Sequence, residues 1–131
     1  MDLRPKVLIL DDDRLSLELY SRDLARDYQV ATSTSVDDTR RLLRELSPTI
    51  LILEPAVNQD EGWELLSEIK ISPNPPLLIL CSVEDDRQAG LQQGAYAYLV
   101  KPVLPATLHN LVNQIVAKSP PHSIERLDKG A

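Results

Sequence analysis

A doubly wound α/β domain built on a parallel sheet is the fold class this sequence predicts. Short apolar runs recur along the chain, segments of helical periodicity separate them, and several of the runs are apolar at every position rather than at alternate ones. A strand apolar throughout is covered on both faces. Parallel strands need crossovers, and right-handed crossovers deposit helices on either side of the sheet. With 131 residues the chain accommodates one such domain.

The elements follow in order. Val7-Leu8-Ile9-Leu10 reads as a central strand, and Leu17, Tyr20 and Leu24 mark the buried face of the first helix, which Asp13 is placed to cap. Gln29 to Thr32 is a second short strand. Ser35, with Asp38 three residues on, resembles a capping box opening a helix whose stripe is Val36, Thr39, Leu42, Leu43 and Leu46, and Ser47-Pro48 ends it. Ile50 to Leu53 forms the third strand; a loop over residues 55–61 leads to a helix bearing Trp63, Leu66 and Ile69. Pro73-Asn74-Pro75-Pro76 forces an extended connection into a fourth strand, Leu77 to Leu80. A short helix from Arg87 to Gln92, a fifth strand from Ala95 to Val100, and a last helix complete the pattern. That helix opens at Pro105 and carries Leu108, Leu111, Val112, Ile115 and Val116 at helical spacing. The domain is expected over residues 1–118, with 119–131 a flexible tail or the start of a linker.

The net charge of −6 leaves no basic stripe to neutralise phosphates, which argues against direct nucleic-acid or anionic-membrane binding. No apolar run approaches membrane-spanning length, and a cytoplasmic location is expected. The single cysteine, Cys81, allows neither an internal disulfide nor a cysteine metal cage and is read as a small buried hydrophobe. His109 is placed on the polar side of the last helix and His122 in the tail, both as solvated residues without companions at metal-ligand spacing.

Ligands of parallel sheets bind outside the carboxyl ends of the strands. Those ends carry Asp11-Asp12-Asp13, Glu54, Cys81-Ser82 and Lys101-Pro102. Clustered carboxylates suit a hard divalent cation such as Mg²⁺, and a lysine opposite them is a point-charge partner for an anion or a carboxylate. No glycine-rich loop follows the first strand, so a nucleotide-binding enzyme is disfavoured.

With these landmarks in place the sequence resembles the receiver domain of two-component response regulators. The resemblance extends from Lys6 to Lys118 and is carried by Asp11-Asp12, the strand terminus at Glu54, Gly62 in Glu61-Gly62-Trp63-Glu64-Leu65-Leu66, Gly94-Ala95, and Tyr98-Leu99-Val100-Lys101-Pro102. It implies a flavodoxin-like sheet of order 2-1-3-4-5 and Mg²⁺-dependent phosphoryl transfer from a histidine kinase to a third-strand aspartate. Asp12 would ligate the metal directly, Asp11 through water and Ala56 through its backbone carbonyl. Lys101 would bind the phosphoryl group, its bond to Pro102 would be cis, and Tyr98 would report the state of the site to a protein-binding face made by the fourth helix, fifth strand and fifth helix. A boundary aromatic with its hydroxyl in water is an equally compatible reading of Tyr98.

The sequence departs from this pattern where phosphorylation would occur. Glu54 fills the acceptor position and carries its carboxylate one methylene too far for in-line transfer. Its reach brings it towards Lys101, either as partial imitation of a phosphorylated state or as a partly exposed ion pair of little consequence. Cys81 replaces the fourth-strand hydroxyl with a weak donor, and alternation turns Ser82 to the other face. Asn58 stands where the family's next loop has proline, so Mg²⁺ would be weakly held. The expected function is therefore a non-enzymatic, protein-binding receiver in two-component signalling, unphosphorylated at the third strand and contacting a histidine kinase or output protein, with homodimerisation left open. The alternatives are a receiver phosphorylated on Asp11, Asp12 or Asp13, and the amino-terminal receiver of a longer regulator.

Overall fold

Alternate side chains of the three central strands leave opposite faces of the sheet, and the two faces differ in chemistry. Val7, Ile9, Ile50, Ile52 and Ile79 enter one half of the core, whereas Leu8, Leu10, Leu51, Leu53, Leu78 and Leu80 enter the other. The computed structural model describes residues 1–118; the tail expected at 119–131 lies outside the described residues. In order these are β1 (Lys6–Leu10), α1 (Arg14–Leu24), β2 (Gln29–Ser33), α2 (Val36–Leu46), β3 (Ile50–Leu53), α3 (Val57–Lys70), β4 (Leu77–Ser82), α4 (Arg87–Gln92), β5 (Ala97–Val100) and α5 (Pro105–Lys118). All pairings are parallel, in the order β2-β1-β3-β4-β5.

The isoleucine and valine half closes against Leu17, Tyr20 and Leu24 of α1 and Leu108, Val112 and Ile115 of α5. The leucine half closes against Val36 of α2 and Leu65, Leu66 and Ile69 of α3. Helices on both faces are what fully apolar parallel strands require, since neither face can be left in water. No described helix is long and apolar enough to cross a membrane.

Helix ends form largely as the sequence predicts. Asp13 caps α1, accepting from the Leu15 amide at 3.2 Å and the Ser16 hydroxyl at 2.7 Å. Ser35 caps α2 through the Asp38 amide at 3.1 Å, but the reciprocal half of the box does not form: the Ser35 amide donates to the Ser33 hydroxyl at 3.2 Å and the Asp38 carboxylate pairs with Arg41. Four strand boundaries differ from expectation: β1 starts one residue earlier, at Lys6, β2 runs one residue further, to Ser33, and β4 and β5 shift by two. β4 extends to Ser82 because β5 lies beside it, pairing Cys81 with Leu99 and Ser82 with Val100. β5 begins at Ala97 rather than Ala95, since Gly94 turns at φ 95° and the Ala95 amide bonds back to the Gly90 carbonyl.

The loop expected over residues 55–61 is present as a left-handed stretch within α3, with φ of 50°, 61° and 69° at Asn58, Gln59 and Asp60. Gly62 follows it at closest approach. A β-carbon there would lie 2.6 Å from the Pro55 carbonyl oxygen and 2.7 Å from its α-carbon, both backbone atoms. Gly62→Ala therefore has to displace the loop beside Glu54, and a loss of about 1–3 kcal/mol is expected. Urea denaturation measures it; an unchanged midpoint would mean that the loop yields freely.

Candidate functional site

Four strands end together at the carboxyl edge and bring Asp11, Glu54, Cys81, Ser82 and Lys101 to one place. The Lys101 ammonium, whose side chain is 12% exposed, lies 2.7 Å from Asp11 Oδ2 and 3.6 Å from Glu54 Oε1. Its hydrogen bond goes to Asp11. Burial disfavours the charged lysine, yet the hydrogen bond from Lys101 to Asp11 and the fields of Asp11 and Glu54 outweigh it and hold its pKa above the ordinary value. The Lys101–Pro102 peptide bond is cis.

Asp11 is buried, with both oxygens engaged: Oδ2 by Lys101 and Oδ1 by the Asp13 amide at 2.9 Å. Asp12, exposed at the mouth, accepts at 3.3 Å from the Asn58 amide. Glu54 is only 6% exposed, which corrects the reading of a partly exposed pair. One methylene longer than aspartate, its side chain folds back so that Oε2 accepts from the Ala56 amide at 3.2 Å. Pro55, between them, offers no amide to compete.

Cys81 enters the α1–α5 half of the core and is 2% exposed. Burial is the main influence on its thiol, pushed up to about 11, so it behaves as a buried hydrophobe. Ser82 turns to the opposite face, where its hydroxyl accepts from the Glu84 amide at 3.2 Å. The reading of Tyr98 with its hydroxyl in water does not hold. Its ring is buried between Leu80 and α4, where Gly90 leaves room for it, and its hydroxyl donates to the Glu84 carbonyl while accepting from the Asp86 amide at 3.1 Å. That pairing closes the β4–α4 connection over the ring.

Two residues have partners that their sequence readings did not include. Asn58 joins three segments: its amide reaches Asp12, its side-chain Oδ1 accepts from the Val36 amide at 3.1 Å, and its Nδ2 donates to the Thr34 carbonyl at 3.3 Å. A polar amide in a loop gives no sequence signal for such a bridge. His109, expected in solvent, is 7% exposed and lies between Asp23 and Asp27, at the other side of the molecule's α1–α5 seam. Helical periodicity marked the polar flank of α5 but not that the last turn of α1 and the chain after it cover it.

The donor set fits a hard cation in kind: the carboxylates of Asp11, Asp12 and Glu54 and the Ala56 carbonyl are all oxygen donors. Each is already engaged, since the Ala56 carbonyl accepts from the Asp60 amide at 3.1 Å. A cation would share these oxygens with, or take them from, the partners they already have. No metal-holding group of three or more histidine, cysteine or acidic residues is present among the described residues.

A family model described as the response regulator receiver domain matches residues 7–113. The chain is 30% identical over 133 residues to the transcriptional regulatory protein AfsQ1 of Streptomyces coelicolor, covering 97% of this chain and 58% of that protein. It thus spans little more than half of that regulator. A 14.6 kDa protein of Leptolyngbya boryana is 31% identical over 121 residues, covering 88% of this chain and 92% of that protein. The signal receiver domain of a LuxO repressor protein from Vibrio parahaemolyticus superposes with a TM-score of 0.84 at 22% identity, over 98% of this chain and 100% of that one, a likeness of fold.

The buried thiol makes a direct prediction. A pKa near 11 rather than the ordinary thiol value of 9.0 lowers the thiolate fraction at neutral pH by about 100-fold, so native Cys81 should be alkylated at least that much more slowly than in the unfolded chain. Timed iodoacetamide labelling with and without urea tests it; equal rates would show an open thiol.

Proposed function

Because the chain belongs to the response regulator receiver family, we propose that it is an atypical receiver: a protein-binding signalling domain not switched by phosphorylation at the third strand. Receiver domains of two-component response regulators take their phosphoryl group on an aspartate at the position filled here by Glu54. The observation that carries the proposal is the state of that carboxylate. It is buried, committed to the Ala56 amide, and separated from Lys101 by 3.6 Å while Lys101 bonds to Asp11.

An attacking oxygen has to meet the phosphorus in line, and positioning supplies most of the catalysis in phosphoryl transfer. A carboxylate displaced by one methylene and turned back to the main chain lacks that alignment. Cys81, buried in the opposite half of the core, offers no hydroxyl to receive a phosphoryl oxygen. The lysine's preference for Asp11 also favours Glu54 as a filler of the acceptor position over Glu54 as an imitation of the phosphorylated state. Mg²⁺ binding would be weak and would use Asp11, Asp12 and the Ala56 carbonyl; in the family the ion neutralises charge on the transferring group. Here Lys101 would compete with the ion for Asp11.

The receiver unit in this reading is residues 1–118, and it does its work by contact. The proposed face is α4, β5 and α5, where Leu91 of α4 and Tyr96, just before β5, are large apolar residues 47% and 45% exposed. Its partners would be a histidine kinase or an output protein.

The test is intact mass after incubation with Mg²⁺ and acetyl phosphate. Wild type is expected to gain no phosphoryl group, and Glu54→Asp to gain one in a Mg²⁺-dependent manner. A stoichiometric adduct on wild type would overturn the proposal and move the acceptor to Asp11, Asp12 or Asp13. A silent Glu54→Asp would assign part of the block to Cys81 or to the loop at residues 55–61.

A further inference from the structure

His109 is a buried titratable group that the acid site does not use. It sits on α5 against the end of α1, with Nδ1 2.8 Å from Asp23 Oδ2 and Nε2 2.6 Å from Asp27 Oδ2. Its side chain is 9% exposed, those of the two aspartates 23% and 57%. The edge of the Tyr28 ring approaches it, with centroids 6.0 Å apart, and the Tyr28 hydroxyl continues the seam by donating to Asn113 Oδ1 at 2.6 Å.

A neutral imidazole carries one N–H, so only the imidazolium can donate to both carboxylates at once. A carboxylate oxygen within hydrogen-bond distance of each ring nitrogen is the geometry that a doubly protonated ring between two ionised carboxylates satisfies in full. The hydrogen bond from His109, followed by the pairing with Arg26, holds Asp23 below the usual carboxylate range. The other charged groups about the seam are Arg26, 3.1 Å from Asp23, and Arg4, whose guanidinium donates to the Ala25 carbonyl at 3.1 Å and feels the field of Asp27. The sheet residues in this half of the core are apolar apart from the Cys81 thiol.

We infer that the His109 clamp makes the α1–α5 seam a proton-dependent joint, closed when the ring is doubly protonated and released on one side when it is not. The inference is independent of the acid-site reading. Its direction follows from the charges. The clamp's contribution is complete where the ring is charged and is lost as pH rises through the ring's titration. On the acid side the Asp23 half of the clamp is lost only as pH falls far enough to protonate Asp23, which is held below the usual carboxylate range. The joint is therefore closed in mildly acidic solution and loosened in alkaline solution. Since α5 is also part of the proposed partner face, the proton reaches that face through the placement of one helix.

The test uses the full chain, wild type beside His109→Gln, with thermal midpoints from pH 5 to 9 and NMR titration of the ring and the amides. His122 is common to both proteins, so the difference between them isolates His109. The wild-type advantage is expected to shrink by about 4 °C from the acid to the alkaline end, with α5 amides shifting in step with the His109 ring. A pH-independent difference, or α5 amides that stay still while the ring titrates, would overturn the inference. Asp27→Asn gives a second reading if His109→Gln does not fold: it should flatten the wild-type pH dependence, and retention of that dependence would equally overturn the clamp.

Discussion

A parallel sheet has to be covered on both faces, and the architecture here follows from that constraint. Strands apolar at every position need helices above and below, right-handed crossovers supply them, and five parallel strands then end at one edge. Each crossover begins at that edge with a short polar connection, because exposed backbone has to find partners there. Carboxylates and a lysine that are far apart in sequence meet for this reason. Asp11 and Lys101 are ninety residues apart and share a hydrogen bond of 2.7 Å.

Once gathered, these charges constrain one another. A nearly buried ammonium needs a partner, and removing one member of a buried pair typically costs about 3–5 kcal/mol because the other charge is stranded. Lys101 has two carboxylates within reach and bonds to one. Asp11 is fixed from the other side by the Asp13 amide, so its free oxygen is already aimed at the lysine, whereas Glu54 is drawn by Ala56. The network is closed on itself, each acid answered by an amide or by the lysine.

Much of this was legible in the sequence because it depends on short-range pattern. The uniform apolar runs of Val7–Leu10 and Ile50–Leu53, the caps at Asp13 and Ser35, and the gathering of Asp11, Glu54 and Lys101 all follow from periodicity and strand ends. Strand order does not; it came from resemblance to a family, since periodicity carries no information about neighbours. The misread residues were polar groups whose partners are remote. His109 looked solvated because its helix face is polar, and only the packing of the last turn of α1 and the chain after it brings Asp23 and Asp27 over it. Tyr98 and Asn58 were undecidable for the same reason: a hydroxyl or an amide can face water or a backbone group, and the sequence does not say which is near.

The division of β-branched residues to one face of the central strands and leucines to the other gives the sheet a mechanical asymmetry. Valine and isoleucine are restricted at χ1, so the floor beneath α1 and α5 has few alternative shapes. Leucine, unbranched at its β-carbon, allows more rearrangement beneath α2 and α3. Substitutions of similar volume should thus be absorbed more readily on the leucine side, while the other side acts as the stiff wall against which the domain keeps its shape.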